Sequence, residues 1–245
     1  MRARVVTVRA LLSRFCTEYI KGMNDGRRKR DMQRNLAKAI IDVMHALHEL
    51  GFVHCDPKLE NIVLMWPEDK YFDYKVRLID LDSCCRIGEL WPSAPDGALK
   101  YTVTCVAPEV RCITSEPHEH RQEPTNSSFS NRMQVVALCQ DRADNSWDGR
   151  ASPAQDCFNA GVMVAEVFRN QRLFVDKEHA EAVFAQVIGG DIKPLLQLAM
   201  EGVPQDLRAT VRGLLDPNPS DRMDLATVRR VRAYLSYLPL SARLT

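Results

Sequence analysis

The chain has 245 residues, 45% of them hydrophobic, which is long and apolar enough for one ordinary globular domain with a substantial core. A formal net charge of +1 gives no ground for expecting nucleic acid or a membrane surface as a partner. Eight cysteines are scattered without a C-x-x-C pair, which speaks against a disulfide framework or a zinc site and for buried or idle thiols in a reducing compartment.

The N-terminal stretch carries Arg2, Arg4, Arg9 and Arg14 before its first acid, Glu18. Serine is scarce there, so a surface helix is the preferred reading over a transit peptide. Val5, Leu11, Leu12, Phe15 and Ile20 predict that helix over 5–20, closed by the turn residues Asn24-Asp25-Gly26. The basic run from Arg27 to Arg30 reads as a solvated helix start rather than as a nuclear-import signal. From Asp31 to Leu50, Met32, Leu36, Ile40, Val43, Leu47 and Leu50 recur at three- and four-residue steps, one face of a helix that Gly51 stops. Short strands follow at Ile62 to Met65 and Val76 to Ile79, joined by 66–75. Residues 111–150 are polar and aperiodic and read as an insertion loop. The run from Cys157 to Phe168 is the most apolar helix candidate. Gly161 inside it costs about 1 kcal/mol in helix propensity, which predicts close packing at that point. Further helices are expected over 178–189, 193–201, 204–215 and 224–237. No apolar run reaches ~18 residues, so no membrane-spanning helix is expected.

Chemistry concentrates in His54-Cys55-Asp56-Pro57-Lys58-Leu59-Glu60-Asn61, directly after the second helix. A carboxylate, an ammonium two residues on and an amide five residues on form a set suited to phosphoryl transfer: a proton acceptor, a cation for the moving phosphate and an oxygen for a hard metal. The run resembles the catalytic loop H-R-D-x-K-x-x-N of the eukaryotic protein kinases. Four further segments resemble that family in the same order: Asp80-Leu81-Asp82 at the metal-binding D-F-G, Ala107-Pro108-Glu109 at A-P-E, Asp156 at the start of the large central helix, and Asp216 to Arg222 at the turn whose arginine pairs with the A-P-E glutamate.

The resemblance implies an α+β fold, a mainly helical kinase C-lobe with short β-hairpins around the catalytic loop, within one kinase-like domain over 1–245. It implies a serine/threonine kinase that moves the ATP γ-phosphate to a protein substrate. Asp56 would be the base, Lys58 would stand against the phosphate and the nucleotide, and Asn61 and Asp80 would hold Mg²⁺ for ATP. Glu109, Arg222 and Asp156 are implied as scaffold, and Thr102 and Thr104 are candidate phosphorylation sites in the segment from Asp80 to Glu109. A cytoplasmic or nuclear location is expected, and the oligomeric state is left open.

The sequence departs from the family pattern in three ways. Cys55 replaces the arginine that reads activation-segment phosphorylation by ion pairing. Leu81 and Asp82 replace phenylalanine and glycine. No G-x-G-x-x-G occurs, and no V-A-I-K-like strand lies among the 53 residues before His54, so the small N-terminal lobe has no counterpart. These departures motivate an alternative: a pseudokinase that binds or scaffolds without catalysis.

Overall fold

The computed structural model describes residues 3–8, 26–67, 75–91, 102, 104–110 and 148–231. The chain enters on β1 (Ala3–Thr7) and reaches the long helix α1 (Gly26–Glu49). β2 (Phe52–Val53), β3 (Ile62–Pro67), β4 (Lys75–Leu78) and β5 (Cys85–Arg86) follow. The remainder is helical: α2 (Pro153–Arg169), α3 (Lys177–Ile188), α4 (Lys193–Met200), α5 (Gln205–Leu214) and α6 (Leu225–Arg230). The strands form one antiparallel sheet in the order β1-β3-β4 and a two-stranded pair of β2 with β5.

The expected helix over 5–20 is corrected at its start. Ala3–Thr7 is a strand that pairs antiparallel with β3, Ala3 opposite Pro67 and Thr7 opposite Val63. Val5, Val6 and Thr7 are β-branched, and the open edge of β3 offers the hydrogen bonds that a short isolated helix would have to make alone. The rest of that span lies outside the described residues, as do 111–147 of the expected insertion and the end of the helix expected to reach 237.

The helix before the catalytic loop forms as expected, but its buried face is turned. Leu36, Ala37, Ile40, Ile41 and Met44 are in the core, whereas Leu50 is 74% exposed. Gln33 is buried on the same face, and its amide nitrogen donates to the carbonyls of Val167 (2.7 Å) and Phe168 (3.1 Å). A side chain thereby satisfies carbonyls at the end of α2 that the helix itself leaves open. The core gathers around α2, which is buried from Gln155 to Phe168, with Phe158, Phe174 and Phe184 packed as neighbouring rings. Ser152 starts α2 with a capping box: its hydroxyl accepts from Ala154 N, and the Gln155 side chain accepts from Ser152 N. Gly161 is where α5 crosses. A Cβ there would lie 2.9 Å from Leu215 Cδ2 and 3.0 Å from Leu214 Cβ, so close packing does explain the glycine.

Arg222 and Glu109, 113 residues apart in sequence, meet beside the start of α2. The guanidinium meets the carboxylate in a fork, Nη1 to Oε1 at 2.7 Å and Nη2 to Oε2 at 2.9 Å, with both side chains essentially inaccessible. Its remaining N–H groups donate to the carbonyls of Asp216, Ala154 and Pro217, and its face lies 5.2 Å from the Phe158 ring centroid. Such a pair fixes geometry more than it adds stability, but an unpartnered charge left there is costly. Arg222→Ala or Glu109→Ala is expected to lower unfolding stability by about 3–5 kcal/mol in urea titration. Replacing both with apolar residues of matched volume is expected to cost less than the two single changes added together.

Candidate active site

The candidate loop lies between β2 and β3, and its entry is fixed by a carboxylate from another element. Asp156, in the first turn of α2, accepts the N–H of His54 at 2.8 Å and of Cys55 at 3.1 Å, and the imidazole Nε2 of His48 donates to it at 3.0 Å. Cys55 needs that hold, because its φ is +67°, a left-handed conformation that a side chain bearing a Cβ rarely adopts. Asp80 shares this feature, with φ +60° and ψ +57°. Non-glycine residues held left-handed gather where function requires a fixed turn.

Beyond Cys55 the loop closes on itself. A tight turn over Leu59–Asn61 buries Leu59 and Asn61. The amide nitrogen of Asn61 donates to the carbonyl of Asp56 at 3.1 Å, which directs its side-chain oxygen the other way. The Asn61 backbone carbonyl in turn accepts the N–H of Ile79 at 2.9 Å, one step beyond the Ile62–Leu78 pairing of β3 with β4. Antiparallel register thus brings Asn61 beside the residue that precedes Asp80. The His54 imidazole adds a clamp, with Nε2 donating to the Ile79 carbonyl at 3.1 Å. Its Nδ1 is buried with no partner among the described residues.

Asp56 is positioned through both its oxygens. Oδ1 accepts the backbone N–H of Thr102 at 3.0 Å, and Oδ2 accepts the Lys58 ammonium at 2.7 Å. Lys58 Nζ also donates to the hydroxyl of Thr102 at 2.8 Å. Asp56 and Lys58 are partly buried, with side-chain exposures of 15% and 22%, so the pair is shielded yet open to a ligand. Thr102 is the member of this cluster whose role the sequence reading missed. It was expected as a phosphorylation site, but its hydroxyl and its N–H are both committed to the Asp56–Lys58 pair. Its offset of five residues before Ala107 in the Ala107-Pro108-Glu109 motif was the available signal.

The structure therefore brings Asp56, Lys58 and Asn61 into one loop and sets Asp80, exposed, at the end of the adjoining hairpin strand. Asn61 and Asp80 offer oxygen atoms, the donors a hard cation prefers, and among the described residues no group of three or more His, Cys, Asp or Glu forms a metal cage. Two protein oxygens fit Mg²⁺, which keeps several waters and is commonly completed by phosphate. Cys55 is turned away from the loop mouth into a small apolar cluster with Val53, Trp91, Val106, Val110 and Ala151. The second departure, Leu81-Asp82, forms a short turn over Leu81–Ser83, with Leu81 50% exposed.

No family model matches the sequence. Among curated proteins, the myotonin-protein kinase of Mus musculus is 26% identical over 187 residues, 76% of this chain and 24% of that protein. Among solved structures, the ROP18 kinase domain in complex with AMP-PNP and sucrose matches with a TM-score of 0.56 at 14% identity, over 96% of this chain and 48% of that one. A rhoptry kinase from Toxoplasma gondii matches with a TM-score of 0.55 at 15% identity, over 93% of this chain and 51% of that one. The chain thus spans about a quarter of the curated relative and about half of each solved chain. Together these likenesses show a divergent protein kinase-like fold, with an α+β, C-lobe-like arrangement.

Asp156 can be tested directly. An asparagine keeps its shape but offers one acceptor oxygen where three donors converge. Asp156→Asn is expected to cost about 1–3 kcal/mol in urea titration. It is also expected to accelerate hydrogen exchange at the His54 and Cys55 amides ahead of amides in α2.

Proposed function

We propose that this chain, read as one kinase-like domain over 1–245 with 111–150 inserted in it, transfers the γ-phosphate of ATP to serine or threonine hydroxyls of a protein substrate. The observation that carries this reading is the bridge of Lys58 between Asp56 and Thr102. It fixes a carboxylate and a cation side by side at the mouth of a rigid loop, which is the arrangement phosphoryl transfer uses.

Asp56 is the base in this reading. Its carboxylate, oriented by the Thr102 N–H and the Lys58 ammonium, accepts the proton of the substrate hydroxyl as that oxygen attacks phosphorus. Lys58 supplies positive charge to the phosphoryl oxygens during transfer, from a position it already occupies before substrate arrives. Asn61 and Asp80 would hold Mg²⁺, which when bound neutralises phosphate charge and aligns the nucleotide. The preference for serine and threonine over tyrosine rests on Lys58 standing two residues after the base, as the family resemblance implies.

A pseudokinase reading has one structural observation in its favour. Cys55 is buried in an apolar cluster that includes Trp91 and Val106 of the segment from Asp80 to Glu109, so the loop offers that segment a thiol in place of an arginine able to read a phosphorylated residue.

The two readings separate by Mg²⁺-dependent transfer of labelled phosphate from ATP to a generic protein substrate. Asp56→Asn is expected to lower kcat by about 10²–10⁴-fold with an unchanged unfolding midpoint. Wild-type transfer no faster than that of Asp56→Asn would instead establish the scaffold.

A further inference from the structure

The described residues include five free cysteines: Cys55, Cys84, Cys85, Cys105 and Cys157. Cys55 and Cys85 stand apart from the others because their sulfurs touch, Sγ to Sγ at 3.5 Å, although they are 30 residues apart in sequence. We propose that Cys55 and Cys85 are a modification site, forming a reversible disulfide that staples the candidate catalytic loop to β5.

The fold aims the two thiols at each other. β2 pairs with β5 so that Val53 faces Cys85, and the left-handed turn at Cys55 then brings its sulfur back over that pair, 3.8 Å from the Val53 carbonyl. Asp156 already fixes the Cys55 backbone through its N–H, so little chain freedom remains to be lost on closure. Bonding requires the sulfurs to approach to about 2.05 Å, within reach of side-chain rotation and small strand adjustment. Cys85 lies at the edge of the apolar cluster that encloses Cys55.

The pair also has the asymmetry that thiol–disulfide exchange needs. Cys55 is 1% exposed, whereas Cys85 is partly exposed and open to an external reagent. The hydrogen bond between the two thiols holds Cys85 below its usual range, and the same bond, with burial, raises Cys55. Cys85 is therefore the more readily deprotonated of the two thiols. By contrast, burial pushes Cys105 and Cys157 up to about 12, and among the described residues neither touches a second cysteine in this way.

The chemistry balances with a low-molecular-weight disulfide as oxidant. The Cys85 thiolate attacks one sulfur of that disulfide, breaking its S–S bond and releasing one thiolate. Cys55 gives up its proton and attacks the Cys85 sulfur of the mixed disulfide, expelling the second small thiolate. Two protein thiols lose two electrons and two protons, and one small disulfide becomes two small thiols. The new bond closes a loop that contains Asp56, Lys58, Asn61 and Asp80, so oxidation tethers the start of the candidate site to the strand beyond it.

The test uses the full chain equilibrated across ratios of reduced to oxidised glutathione, quenched in acid, alkylated and digested without reductant. Trypsin releases Cys55 within 39–58 and Cys85 within 78–86. The expected product is these two peptides joined, two hydrogens lighter than their sum and separated again by dithiothreitol. It should persist in Cys84→Ser and vanish in Cys85→Ser, whose partly exposed site tolerates the change. Three outcomes overturn the proposal: a glutathione adduct that stays on Cys85, a bond between Cys84 and Cys85, or both thiols free at every ratio. None of these readouts depends on kinase activity.

Discussion

One buried carboxylate sets the geometry on which the candidate site depends. Asp156 sits in the first turn of α2, the most deeply buried helix described, and reaches across to two consecutive amides of the loop before Asp56. A left-handed residue such as Cys55 is unfavourable in isolation, and surrounding structure must impose it. Two hydrogen bonds to one side chain supply that constraint. The rigid core thus hands its position to a loop that would otherwise be free to drift.

The rest of the site follows from this anchor through backbone connections. Once the turn at Cys55 is fixed, Asn61 folds back onto the Asp56 carbonyl, and its own carbonyl takes the N–H of Ile79. Asp80 is thereby delivered next to the loop by hairpin register, through the residue that precedes it. On the other side, Thr102 comes to Asp56 from a segment whose end is pinned by the Glu109–Arg222 fork. The two buried acids divide the work, Asp156 holding the loop and Glu109 holding the segment that lies against it.

Much of this was legible in the chain. The helix before the loop, the hairpin after it, the apolar central helix with Gly161 at a crossing, and the scaffold roles of Asp156, Glu109 and Arg222 all appear where spacing and motif place them. Local signals sufficed there because each rests on period, turn chemistry or a motif of fixed spacing. The first strand was misread as a helix because a short β-branched run has no intrinsic preference strong enough to resist a sheet edge. The buried face of α1 was turned because helical periodicity alone treats Gln33 as polar and therefore outward, although carbonyls at the end of α2 await it.

Apart from the first strand, the sequence by itself determined the types of the described elements and the residues available for chemistry, since these depend on neighbours a few positions apart. It also assembled Asp56, Lys58 and Asn61, which lie within a single loop. Only the tertiary structure decided what those groups face. Thr102 against Lys58, Ile79 against Asn61 and Cys55 against Cys85 join positions 18 to 44 residues apart. Such contacts are set by register and by the packing of separate elements, and no local pattern encodes a distance between side chains that far apart along the chain.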